Sequence, residues 1–226
     1  MVFSSLLLIY DSIDVWLRDR SRKPQHFTHV LTDKEVQDGI MSFEQFPALV
    51  EDLTSGRAGI RHEIHRIGRP LTSLTHIENE MYWPSPTDTR KEIDRLAVPG
   101  TLDSIFVFWP QHNLRDGTSI RSAGWGLGLA ASAWSNDATY ATVANTESWR
   151  WQVPAVGEVW LHEWLHGVCA YYARQGHVMP DGDADGGARH GYIQSPFSGW
   201  TDYYRDLMSG NVLEAGKPTG IPLNAW

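Results

Sequence analysis

Two hydrophobic rhythms alternate along this chain. Short unbroken apolar runs read as buried strands. One spans residues 6–10. Another, TLDSIFVFW at 101–109, is rich in β-forming residues and stops at Pro110, as a central strand should. YATVA at 140–144 reads the same way. Between these runs, Asp33, Lys34 and Glu35 mark a helix start within 32–39, residues 43–53 form a further helix, and 87–96 is a polar helix. In the stretch 121–133, glycines alternate at 124, 126 and 128. A phosphate-cradling glycine loop follows a strand and opens a helix, and neither is evident here. This stretch is therefore expected to be a mobile or closely approached strand or loop.

The second rhythm has the period of a helix. In PAVGEVWLHEWLHGVCAYYARQG, residues 154–176, the apolar positions Val156, Val159, Trp160, Trp164 and Val168 recur at helical spacing. Pro154 suits the first turn, Glu158 the positive end, and Arg174 and Gly176 the closing turn, so one long buried helix is expected. Gly157 and Gly167 weaken it locally. Farther on, WTDYYRDLMSG at 200–210 predicts a short helix ending in a tight turn. Together these elements predict a single α+β domain over 1–226, with an N-terminal lobe to about residue 176 and a C-terminal lobe from there to 226.

Composition narrows what such a domain does. With 19 Lys+Arg against 27 Asp+Glu the formal charge is -8, which opposes capture of nucleic acid or of an anionic membrane surface. No run reaches the roughly 18 apolar residues of a membrane span. The apolar start lacks the basic flank of a signal peptide and suits a first strand. The lone Cys169 excludes an internal disulfide and a tetracysteine metal site, so a bound metal would need His and carboxylate ligands. The eleven tryptophans suit an aromatic core first, and an aromatic-lined groove for peptide or sugar second.

The chemistry concentrates on the long helix. His162 and His166 are four residues apart, about 40° in rotation and one turn in height, so two imidazoles can meet one ion. Glu163 projects close enough to reach a water on that ion without entering its coordination shell. As core residues bonded only to backbone, two buried histidines beside a buried carboxylate would be costly. His62, Glu63 and His65 form a near-miss, H-E-x-H. Glycine and proline nearby argue against a helix, and a strand would put the two histidines on opposite faces.

The H-E-x-x-H arrangement resembles that of the zincin metallopeptidases. The resemblance implies a zincin-like α+β fold: a mixed sheet, a long active-site helix, and a smaller C-terminal subdomain below the cleft. It also implies zinc held by His162 and His166, Glu163 as general base, and a protein or peptide substrate. The metzincin extension would need Gly at Cys169 and His at Tyr172, and the thermolysin-like third ligand has only Glu214 as a counterpart, so the third ligand is displaced. His177 would lie roughly 16 Å along the axis from His166. His190 has loop enough to return and is the favoured third ligand, with Asp181, Asp183, Asp185 and Asp202 as carboxylate alternatives. Asp181, Asp183 and Asp185 also alternate as in a Ca²⁺ loop, although Tyr192 stands where its closing glutamate belongs. Leu207 to Gly210 resembles a Met-turn, with an ordinary core methionine as the alternative for Met208. Tyr192, Tyr203 and Tyr204 are the candidate oxyanion donors. The compartment stays open, with secretion favoured over the cytoplasm. The competing readings are a metal-dependent hydrolase of a non-peptide amide, and a noncatalytic peptide- or glycan-binding module.

Overall fold

Alternating side chains of the first strand divide the molecule into two packed layers. In Val2–Tyr10, Leu7 and Ile9 face one hydrophobic core while Leu6, Leu8 and Tyr10 face another, the period-two pattern of a sheet covered on both sides. The computed structural model describes residues 1–18, 24–152 and 155–226. It is an α+β fold with one five-stranded mixed sheet. The strand order is Gly126–Leu129, Thr139–Ala144, Ser104–Trp109, Val2–Tyr10, Gly59–Ile67. Neighbours pair in parallel except Gly126–Leu129, an antiparallel edge strand. All six residues of the central Ser104–Trp109 strand are buried, which is why it reads as a continuous β-forming run.

Four α-helices lie among the described residues: α1 (Asp33–Leu53), α2 (Arg90–Leu96), α3 (Glu158–Arg174) and α4 (Thr201–Leu207). Helix α1 opens with a capping box in which the Thr32 hydroxyl and the Glu35 carboxylate satisfy each other's backbone N–H groups. The two helices expected at 32–39 and 43–53 are one helix of 21 residues, with Gly39 and Pro47 inside it. Gly39 is a packing requirement, because a Cβ there would come within 2.7 Å of the Phe108 ring. Helices α1, α3 and α4 contribute to the core on one sheet face, with Phe43, Phe46, Trp160, Trp164, Tyr204 and Leu207 among its members. The other face is covered by Ile13 and Val15 from the ribbon of Ser12–Arg18 with Pro24–Val30, by Trp83, and by Ile93 of α2.

Six of the eleven tryptophans are buried (Trp83, Trp109, Trp151, Trp160, Trp164 and Trp226), as the core reading expected. Trp125, Trp149 and Trp200, with the buried Trp151, line a cleft. Val212, Ile221 and Trp226 from the C-terminal part share the core of α1 and α3.

Candidate metal centre

The start of α3 is set by a residue without a side chain. Gly157 adopts φ 87°, and a Cβ there would lie 2.9 Å from the Phe46 backbone nitrogen of α1. The helix begins at Glu158. The expected first-turn Pro154 lies outside the described residues. Gly167 likewise lets α3 approach the sheet, since a Cβ would meet Thr139 at 2.7 Å and the Leu129 carbonyl at 2.8 Å. The two helix-weakening glycines are positions of close contact.

Trp160, Leu161, Trp164, Leu165 and Val168 turn one side of α3 into the core. This leaves His162 and His166 at the border of the cleft, where their side chains are 24% and 21% exposed. Their ring centroids are 4.9 Å apart and nearly perpendicular. The Asp185 carboxylate faces both: Oδ1 is 3.4 Å from His162 Nε2 and Oδ2 is 3.9 Å from His166 Nε2. Ligand atoms of these three residues lie within 4.8 Å of one another, and they are the group that could hold a metal ion among the described residues. Two imidazole nitrogens and a carboxylate oxygen suit a divalent ion such as zinc.

Behind the cluster both rings are aimed by hydrogen bonds. Nδ1 of His166 donates to Asp183 Oδ1 at 2.7 Å, which fixes the tautomer and leaves the Nε2 lone pair facing Asp185. Nδ1 of His162 lies 2.8 Å from the Tyr204 hydroxyl. Burial, then the neighbouring His166, holds His162 below the ordinary imidazole value. At His166 burial pulls downward, but the Asp183 hydrogen bond and charge prevail and the net shift is upward. Glu163 is buried, with Oε1 4.0 Å from His162 Nε2, and burial with the Asp185 charge pushes its carboxyl up to about 8 against the pull of His166. A cation among these groups would relieve the crowding of carboxyls.

The alternating glycines of the edge strand belong to this site. A Cβ on Gly126 would sit 2.7 Å from Glu163 Oε1, and one on Gly128 would collide with the Glu163 carbonyl. This is the closely approached strand that the glycine pattern suggested.

The remaining sequence-derived candidates are placed elsewhere. His190, the favoured third ligand, is not in the cluster: its Nε2 is 3.1 Å from the Asp181 carbonyl and its ring stacks on Tyr203. The chain turns back at once after α3, with Gly176 at φ 94° and the His177 N–H bonded to the Tyr172 carbonyl. Asp185 thereby arrives before His190. Asp202 is exposed on α4. The three aspartates of the expected Ca²⁺ loop have separate partners, Arg189 for Asp181, His166 for Asp183 and the two histidines for Asp185, so they do not converge as a calcium loop does. Among the tyrosines, Tyr203 donates to the Asp183 carbonyl and Tyr192 to Asp206 at 2.5 Å, so neither hydroxyl is free for an oxyanion. Tyr204 alone of the three lines the cleft. Met208 caps α4 and is fully buried. The orienting roles of Asp183 and Tyr204 had no signal in spacing alone.

The cluster opens into a cleft of about 670 Å³, bordered by Trp125 and Gly126 of the edge-strand side, Trp149, Trp151, Trp200, and Glu158 of α3. No protein-family model matches the chain, and no curated protein matches it at a significant level.

Proposed function

We propose that this protein is a zinc-dependent metallopeptidase of zincin-like architecture, with His162, His166 and Asp185 as the ligands and Glu163 as the general base. The observation that carries the reading is the convergence of two Nε2 atoms and one carboxylate at the cleft, with a second, buried carboxyl, that of Glu163, 4.0 Å from one of those nitrogens. A zinc ion here would supply a Lewis acid that polarises the scissile carbonyl and lowers the pKa of a water. Glu163 takes the proton of the attacking water and returns it to the leaving amine. Burial raises its carboxyl and a bound cation would draw it back down, so the two opposed effects hold it in a range where it both accepts and donates a proton. Asp183 and Tyr204 hold the imidazoles in register.

The edge strand supports a peptide over a non-peptide amide. Gly126–Leu129 pairs on one side with Thr139–Ala144 and has no strand on the other among the described residues, so an extended substrate can add to it by main-chain hydrogen bonds beside Glu163. The charge of -8 agrees with a peptide partner over nucleic acid, and among the described residues no helix is long and apolar enough to cross a membrane.

The reading is tested by zinc content and peptide hydrolysis of wild type, Asp185→Ala and His190→Ala. Wild type and His190→Ala should carry about one zinc per chain and cleave casein-derived peptides, and Asp185→Ala should lose both properties. A metal-free wild type, or zinc retained in Asp185→Ala and lost in His190→Ala, would refute the ligand set.

A further inference from the structure

Glu158 has no role in the chemistry above, yet it is 7% exposed and lines the cleft. It stands one turn before His162 on the same face of α3, about 6 Å along the axis. One of its oxygens accepts the Trp200 backbone N–H at 2.6 Å. Among the described residues its other oxygen has no hydrogen-bond partner, and no Lys, Arg or His lies within ion-pair distance of the carboxylate. The turn around Gly199, at φ 59°, packs directly on this carboxylate and leaves no room for a Cβ. Among the described residues Arg150 is the one Lys or Arg lining the cleft, and it is bonded to Glu147 and stacked over Trp149 at 4.5 Å.

Burial pushes the Glu158 carboxyl up despite the Trp200 N–H and its place in the first turn of α3, so a bound cation would stabilise its charged form. Trp151, Trp200 and Tyr204 line the cleft around it, an apolar setting that strengthens the attraction between this carboxylate and an organic cation.

The geometry points to Glu158 as a specificity-determining residue that binds an alkylammonium or guanidinium group of the substrate beside the bond to be cleaved. This rests on the peptidase reading. Adjacent peptide residues are about 3.8 Å apart, so a cation held one helical turn from His162 belongs to a residue next to the scissile carbonyl. The same chemistry has two sources, a Lys or Arg side chain and the substrate's own N-terminal ammonium.

The test is a set of quenched-fluorescent peptides that differ only in Lys, Arg, citrulline or norleucine beside the cleaved bond, each with a free or acetylated N-terminus. They are given to zinc-loaded wild type and Glu158→Gln, which keeps the acceptor for Trp200. Wild-type kcat/KM should favour Lys over norleucine, or free over acetylated ends, by at least tenfold, the first outcome assigning the side chain and the second the terminus. That ratio should fall toward one in Glu158→Gln. Indifference of the wild type, or an equal loss on every peptide in Glu158→Gln, would overturn the assignment. Should wild type cleave no peptide, the peptidase reading falls while the cation site remains open to measurement. Butylguanidinium should then quench the cleft tryptophans saturably in wild type and bind at least tenfold more weakly to Glu158→Gln, and equal binding to both would overturn the site.

Discussion

Two stretches of the chain carry nearly the same residues and do opposite things with them. HEIH at 62–65 lies on the outer strand Gly59–Ile67, and HEWLH at 162–166 lies on α3. On the strand, successive side chains change face, so His62 packs edge-on against Phe43 at 5.1 Å while His65 meets the exposed Glu63 on the opposite face. On the helix, one more residue between the histidines matches the 3.6-residue period and brings the rings to 4.9 Å. Composition is almost constant between the two. The agreement between spacing and backbone period decides whether two imidazoles can face one point in space, as an ion would require.

The sharpest way to break this comparison is the glutamate of each motif. Glu163→Gln should lower kcat of peptide hydrolysis by about 10²–10⁴-fold with zinc retained, and Glu63→Gln should leave it within about twofold. Comparable losses in both would show that position on α3 carries no special chemistry. Next come the groups that aim the rings, which the strand motif lacks. Asp183→Asn and Tyr204→Phe should each weaken zinc binding by about 10–100-fold in competition with a chelator, and unchanged affinity would remove them from the site. The glycines give the smallest effect. Gly126→Ala forces a methyl against Thr142 and Glu163, and should cost about 1–3 kcal/mol in denaturant unfolding and lower activity with it. Gly59→Ala on the outer strand meets nothing within 4 Å and should stay within about 0.5 kcal/mol. Equal costs would mean that the close approach to Glu163 is not what the edge strand's glycine serves.

Much of this was legible in the residues because it depends on local period. The runs at 6–10, 101–109 and 140–144 are strands, longer or shorter by a few residues, because a sheet covered on both faces needs continuous apolar runs. The histidine pair was legible for the same reason. What was not legible depends on how far the chain travels between contacts. Gly39 looks like the end of a first helix until Phe108 is seen pressing on it. His190 outranked Asp185 because loop length alone says how far a residue can reach, and nothing local says that Gly176 and Gly182, both at positive φ, fold the chain back sooner. The buried Glu158 looked like a helix-dipole partner, since only the packed Gly199 turn and the cleft give it another character.

The groups behind the two rings lie well downstream of them: Asp183 is 17 residues beyond His166, and Tyr204 is 42 beyond His162. During synthesis a ribosome-bound chain therefore displays both imidazoles and the glutamate before either of the groups that orient them exists. A metal centre built from this cluster would form late, once the segment after α3 has folded back, and a peptide copy of α3 alone would be a poor chelator.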